Sequence, residues 1–265
     1  MIADFSLVVV AGGAGTRMGG VVKKAFLELG GEPLLLQTAR VFAGLPGLGQ
    51  RIAVLPPEEL KRETGDSAAV VDIAKPPRKA SETVRRLAGA GFSKLVAGGA
   101  RRQDSVLAGL NATDAKLPFV MIHDAARPFV FPNELINVMA KTRATGAAML
   151  ARPVRDTIKR VQGDRITDTV DRSQLWAAQT PQCFRRELIL GAFARHNATD
   201  VTDDAALAAL DGVACSVVAG SGINFKITTP DDMEIAEALL KSKNASAIFT
   251  RLPENETIFD LGPGK

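Results

Sequence analysis

The chain has 265 residues and 46% of them are hydrophobic, enough to bury a full core within one large domain. Its net charge of +4 suits anionic partners, but the basic residues are scattered and aromatics make up only 5%, which speaks against nucleic acid and for phosphorylated small molecules. The two cysteines, Cys183 and Cys215, have no ligand-like spacing, so a disulfide framework or a cysteine metal cluster is not expected and both read as buried thiols.

The first apolar run, Phe5 to Ala11, is too short to span a bilayer, and no basic region or small-residue cleavage site flanks it as in a signal peptide. A cytoplasmic protein with no membrane partner is therefore expected. Within that run Leu7 to Val10 is β-branched and enters Gly12, Gly13 and Gly15, the pattern of a buried strand running into a tight loop. Such glycines let backbone N–H groups approach phosphate oxygens, and a helix N-terminus after the loop adds partial positive charge. Arg17 and Lys24 follow within a dozen residues, cations enough for a triphosphate. A dinucleotide-binding loop has similar glycines, but it wants an acidic ribose-binding residue about twenty positions on, and Leu34 to Phe42 offers none.

Further strands are predicted at Ile52 to Leu55, Leu95 to Ala97, Phe119 to Ile122 and Ala147 to Ala151, separated by helical spacing, so the fold class is α/β with a mainly parallel sheet. Between Lys61 and Ser93 the chain is charged and carries Lys75-Pro-Pro-Arg-Lys79, whose prolines cannot donate to a ladder, and this stretch reads as a surface excursion. Beyond Phe119 to Ile122 stand His123, Asp124 and Arg127, at the strand end where ligands gather in open α/β sheets. There Asp124 suits a metal and Arg127 a phosphate, although Asp124 can also be read as a turn cap; His123 reads as structural. From Arg152 to Ala178 polar and β-branched residues alternate around Gln162-Gly-Asp164, which predicts a two-stranded hairpin arm. A closing helix is predicted over Pro230 to Leu240. The domain then spans 1–241 and residues 242–265 form a loosely attached tail.

Taken in order, Ala11-Gly-Gly-Ala-Gly-Thr-Arg-Met18, Lys24, Arg102-Gln-Asp-Ser-Val-Leu-Ala-Gly-Leu110, His123-Asp-Ala-Ala-Arg-Pro128, Pro153-Val-Arg-Asp-Thr-Ile-Lys159, Thr180-Pro-Gln182, Thr202-Asp203 and Asn224-Phe-Lys226 resemble the 2-C-methyl-D-erythritol 4-phosphate cytidylyltransferases of the non-mevalonate isoprenoid pathway. The resemblance covers roughly residues 5 to 240. It implies a Rossmann-like three-layer nucleotidyltransferase fold and transfer of a cytidylyl group from CTP with Mg²⁺. It also implies a homodimer joined through the β-arm. Ala11, Gly12, Gly13, Gly15, Arg17 and Lys24 match that family's triphosphate grip, and Gly99, Arg102 and Ser105 match its cytosine and ribose pocket. Asp124 matches the acidic residue near the metal. Arg127, Arg155, Thr202 and Lys226 match the group around the methylerythritol phosphate and the reacting phosphate, with Arg155 supplied by the partner subunit. Lys23 stands where that family usually has proline, the excursion is somewhat longer than in compact members, and the tail after Leu240 is extra. The same scaffold could serve ribitol 5-phosphate as acceptor, but Arg155 and the Asp-Ala-Ala-Arg motif favour methylerythritol phosphate. A regulatory module that binds nucleotide without turnover is disfavoured by the joint presence of Lys24, Asp124 and Lys226.

Overall fold

The structure, a computed structural model, describes residues 2–12 and 24–242, Lys24 through its backbone alone. The opening strand β1 (Phe5–Val10) is buried at every position, as expected of a strand covered on both faces. After a 3-10 turn at Lys24–Phe26 come the short β2 (Glu28–Leu29) and β3 (Glu32–Pro33), helix α1 (Leu34–Val41) and strand β4 (Leu48–Leu55). Helix α2 (Pro57–Thr64) opens with Pro57, Glu58 and Glu59, carries Lys61 and Arg62 in its last turn, and ends on Gly65 at φ +70°. Proline first, charges matched to the helix dipole and a left-handed glycine last together define both ends of this helix.

Strand β5 (Val70–Asp72), helix α3 (Glu82–Gly89) and strand β6 (Lys94–Ala97) follow, then α4 (Arg102–Asn111), β7 (Phe119–Asp124), α5 (Pro132–Thr145) and β8 (Ala147–Pro153). The excursion expected at Lys61 to Ser93 is thus more than surface: β5 pairs antiparallel with β6 as the sheet's edge, and Val71, Ile73, Ala80, Val84 and Leu87 are buried. Its Pro76-Pro77 segment lies outside any strand, as its missing ladder donors require. The remaining elements are β9 (Ile158–Gln162), β10 (Arg165–Val170), β11 (Trp176–Arg185), α6 (Arg186–His196), α7 (Asp204–Leu210), β12 (Ser216–Ala219) and α8 (Pro230–Lys241). Helix α8 begins at a reciprocal cap, in which the Asp232 N–H donates to Thr229 Oγ1 and the Thr229 N–H to Asp232 Oδ2.

The eight-stranded sheet has the order β12-β8-β11-β7-β1-β4-β6-β5, with β11 and β5 antiparallel to their neighbours. Residue alternation sends Leu7, Val9, Ala53, Leu55 and Met121 to one face, against Leu35 of α1, Leu87 of α3 and Leu135 of α5. Val8, Val10, Ile52, Val54 and Ile122 go to the other, against Val106 of α4, Phe193 of α6 and Leu207 of α7. The result is a three-layer sandwich. Among the described residues strands β9 and β10 pair only with each other, across a turn with Gly163 at φ +62°, and form a hairpin inside the span expected for the arm, Arg152 to Ala178; the ends of that span stay in the large sheet, where Arg152 and Pro153 of β8 pair with Ala177 and Trp176 of β11.

From β1 the chain builds first toward β4 and β6, then returns to lay β7 on β1's other side. Strand order therefore reverses between β1 and β7, where loops diverge and leave a crevice at the carboxyl ends of the strands. Register places Val10 beside both Val54 and Asp124, so β1 and β7 end at the same level.

Candidate active site

On one side of this crevice two backbone segments meet at the Ser105 hydroxyl. The Ala11 N–H donates to the Val54 carbonyl at 2.9 Å, which carries β1's direction one residue past the strand. Gly12 then lies so close that a Cβ there would stand 2.8 Å from Ser105 Oγ, and one at Gly98 would stand 2.6 Å from it. The Gly99 N–H donates to Ser105 Oγ at 3.1 Å, and a Cβ on Gly99 would meet Asp104 Cβ at 2.4 Å. Bare backbone is thus required at 12, 98 and 99, as in a loop that lets a ligand approach main-chain N–H groups. Helix α4 can bring Ser105 there because Gly109 packs directly on β1 and β4: a Cβ would meet Val8 Cγ1 at 2.4 Å and Val54 Cγ2 at 2.8 Å.

On the other side, cations surround Asp124 at the end of β7. Arg102 Nε donates to Asp124 Oδ1 at 3.2 Å, Lys226 Nζ lies 2.9 Å from Oδ2, and Arg127 Nε lies 3.7 Å from Oδ2. Burial would push the Asp124 carboxyl up, but Arg102, Lys226 and Arg127 together hold it far below the usual carboxylate range. The two terminal nitrogens of Arg102 donate to Asp204 at 3.1 and 2.9 Å. Burial would lower the Arg102 pKa, yet Asp204 and Asp124 raise it above the ordinary guanidinium value. Three cations against two carboxylates leave the cluster with surplus positive charge facing the crevice, an arrangement suited to phosphate oxygens.

A hydrogen-bonded frame fixes these side chains. Asp124 lies beyond the β7–β11 ladder, and its N–H donates instead to Thr180 Oγ1 at 3.0 Å. The Thr180 hydroxyl donates in turn to His123 Nδ1 at 3.2 Å, and His123 Nε2 lies 2.9 Å from the Arg127 carbonyl, an obligate acceptor. The proton of this imidazole therefore sits on Nε2, and burial pushes its pKa down to about 4. His123 is a neutral clamp across the Asp124–Arg127 turn, in keeping with its structural reading. The segment carrying Lys226 is tied down likewise: Asn224 Nδ2 donates to the Thr180 carbonyl at 2.9 Å, Arg127 Nη1 to the Asn224 carbonyl at 2.8 Å, and the Ile227 N–H to the Ala126 carbonyl at 2.9 Å. Glu134 joins α5 to it by accepting from the Ser221 N–H, and burial raises the Glu134 pKa.

Of the residues expected from sequence, Gly12, Gly99, Arg102, Ser105, Asp124, Arg127 and Lys226 are thus brought to the carboxyl ends of the central strands, with Ala11 at the end of β1. Gly13, Gly15, Arg17 and the Lys24 side chain lie outside the described residues. Thr202 is exposed beside Asp203, which caps α7 by accepting from the Ala206 N–H at 2.8 Å. Arg155 is exposed at the base of the arm, where its carbonyl accepts from Arg172; its guanidinium joins no ion pair among the described residues. The expectation of a metal at Asp124 meets a carboxylate whose two oxygens are already engaged by cations. Both oxygens of Asp204 are held by Arg102, and no group of three His, Cys, Asp or Glu among the described residues is arranged to hold an ion. These residues do not fit a resident magnesium site. Sequence reasoning missed Asp204 altogether, since an acidic residue opening an alanine-rich helix reads as a dipole partner.

The profile of the family described as "IspD: 2-C-methyl-D-erythritol 4-phosphate cytidylyltransferase" matches residues 5–242. A protein of Halalkalibacterium halodurans named 2-C-methyl-D-erythritol 4-phosphate cytidylyltransferase is 40% identical over 242 residues, covering 91% of this chain and 98% of that protein. A protein of the same name from Bacillus velezensis is 39% identical and covers 92% and 98%. Among solved structures, the 2-C-methyl-D-erythritol 4-phosphate cytidylyltransferase of Thermus thermophilus superposes with a TM-score of 0.68 at 32% identity, covering 89% of this chain and 98% of that one.

Proposed function

The chain belongs to the 2-C-methyl-D-erythritol 4-phosphate cytidylyltransferase family, and from that membership we propose that it transfers the cytidylyl group of CTP to 2-C-methyl-D-erythritol 4-phosphate, releasing pyrophosphate and forming 4-diphosphocytidyl-2-C-methyl-D-erythritol. The observation that carries this reading is the cation cluster Arg102, Arg127 and Lys226 around Asp124, set at the crevice between β1 and β7 and facing the bare backbone of Gly12, Gly98 and Gly99.

The reaction joins two anions: a phosphate oxygen of the acceptor attacks the α-phosphorus of CTP, and the bond from that phosphorus to the bridging oxygen of the leaving pyrophosphate breaks. The nucleophile is already ionised near neutrality, so positioning and charge stabilisation are what the protein must supply. In this reading CTP lies across Ala11, Gly12 and the Gly99–Ser105 segment, its triphosphate gripped by Gly13, Gly15, Arg17 and Lys24. Arg127, Lys226 and Thr202 hold the acceptor phosphate, and Arg155 of a second subunit completes its surroundings. Arg17, Lys24, Arg155 and Lys226 carry the charge that develops. Magnesium enters as the counter-ion of the triphosphate, as part of the nucleotide substrate, because Asp124 is committed to cations. Half-saturation by magnesium should then move with the CTP concentration, and a fixed value independent of CTP would restore a resident site.

No helix among the described residues is long and apolar enough to cross a membrane, which accords with a cytoplasmic enzyme. A homodimer through the arm is supported by Val161 and Ile166, 55% and 64% exposed on β9 and β10, where a lone hairpin would be only marginally stable. The deciding experiment is pyrophosphate release with CTP, ATP or GTP against methylerythritol phosphate or ribitol 5-phosphate. CTP with methylerythritol phosphate should be fastest by far; equal rates with ribitol 5-phosphate would overturn the acceptor.

A further inference from the structure

We propose that Asp204 is a positioning residue of this site, which through Arg102 and Asp124 sets where the Lys226 ammonium stands. The proposal rests on the reading of Lys226 as an acceptor-side cation and deepens it. Asp204 is not needed to cap α7, because Asp203 already accepts the Ala206 N–H at 2.8 Å. Instead both Asp204 oxygens take the terminal nitrogens of Arg102, at 3.1 and 2.9 Å. A carboxylate bound by two parallel N–H donors fixes the plane of the guanidinium, not merely its distance.

With its plane fixed, Arg102 has Nε left to aim, and it points at Asp124 Oδ1, 3.2 Å away. Occupation of Oδ1 leaves Oδ2 to Lys226 at 2.9 Å. Each link constrains the next. Side-chain exposure runs 3% at Asp204, 27% at Arg102, 8% at Asp124 and 38% at Lys226, so the buried carboxylate anchors a relay whose far end reaches the crevice. The relay crosses from α7 to α4, to β7, and to the segment before α8, linking side chains of four separate elements. A buried charge pair is costly unless its hydrogen bonds are filled, and here its filled geometry serves to orient a third and a fourth group. Burial raises the Asp204 pKa and Arg102 opposes that, so the carboxylate form depends on the pairing.

Asp204→Asn keeps the volume and removes the charge and one acceptor. It should lower kcat at saturating CTP about tenfold, the pattern of a contact that matters in the transition state, whatever KM for CTP does as Arg102 turns from the nucleotide pocket. Because the effect on kcat travels through Lys226, adding Asp204→Asn to Lys226→Ala should cost no further kcat. Losses that multiply in the double variant would overturn the relay, as would a kcat loss that merely follows the folded fraction measured by circular dichroism. A crystal structure of Asp204→Asn gives a readout independent of turnover. Arg102 should be turned from Asp124 and Lys226 displaced; an unchanged Arg102–Asp124–Lys226 arrangement would overturn the proposal even if no acceptor were turned over. If the asparagine variant does not fold, Arg102→Lys, which keeps the charge but loses the fork, should show the same loss of kcat at saturating CTP, and normal kcat in it would refute the relay.

Discussion

At the scale of single residues, charge placement explains more than any one group's acidity. Lys226 is the most exposed member of a cluster otherwise half-buried or buried, and its ammonium is held by Asp124 Oδ2, so it can meet an incoming phosphate without first being ordered. Removing one preorganised cation of this kind costs roughly a hundredfold in turnover. Lys226→Ala and Lys24→Ala should each lose at least that much with circular dichroism and melting unchanged; near-normal turnover in either would remove it from the machinery. His123 makes a prediction of a different kind. In the folded protein its pKa is about 4 because burial disfavours the imidazolium, whereas in the unfolded chain it is near 6.5. Above pH 6.5 both states are neutral. As pH falls below 6.5 only the unfolded chain gains this proton, so the contribution of His123 to stability drops by about 1.4 kcal/mol per pH unit until about pH 4. Glu134, whose pKa burial raises, shifts stability in the opposite sense over part of that window, so the comparison must be made within a pair of proteins. Urea midpoints between pH 7 and 4.5 should fall more steeply for the native sequence than for His123→Gln, and parallel slopes would show that His123 is not buried neutral.

At the scale of elements, α4 stands where it does because Gly109 has no side chain. Alanine would favour the helix by about 0.5–1 kcal/mol. Its Cβ, however, would fall 2.4 Å from Val8 Cγ1, in a strand packed on both faces, and overpacking of this kind costs about 1–3 kcal/mol. The clash wins, and Gly109→Ala should lower stability in urea by on the order of 1 kcal/mol and weaken CTP binding as Ser105 and Arg102 move outward; a variant as stable as the native protein would mean α4 can give way. The strands β1, β4, β6, β7 and β8 were legible because each is a run of apolar or β-branched residues between turn signals. Strand β5 was not, since three residues among charges and prolines carry no period, and it is fixed by pairing with β6. Strand β11 was hidden by its own chemistry: Gln179, Thr180, Pro181 and Gln182 are polar or ladder-breaking, yet they are buried, with Thr180 bonded to Asp124, Gln179 to Asn224 and Ser221, and Gln182 to Asp203 and Ala205 at the start of α7. The cations of the site were legible through their motifs, whereas Asp204 became visible only when folding put it against Arg102.

At the scale of the whole molecule, the arm is the part whose place one chain does not explain. Strands β9 and β10 leave the sheet after Pro153, pair among the described residues only with each other, and expose Val161 and Ile166. Such a hairpin needs a surface to pack on, and a two-fold partner would bury both arms reciprocally. The Arg155 guanidinium, at the arm's base and without an ion pair among the described residues, would then be available to the neighbour's site. Suppose chains carrying Lys24→Ala and chains carrying Arg155→Ala, each inactive alone, are unfolded together and refolded as an equal mixture. Half of the dimers are then mixed. If Arg155 acts across the interface, each mixed dimer has one site lacking both residues and one site keeping both, so about a quarter of the native activity returns. If Arg155 acts within its own chain, every site lacks one residue and nothing returns. A mixture in which chain exchange is verified by mass spectrometry and yet no activity is recovered therefore excludes the shared site and leaves the arm a purely structural contact.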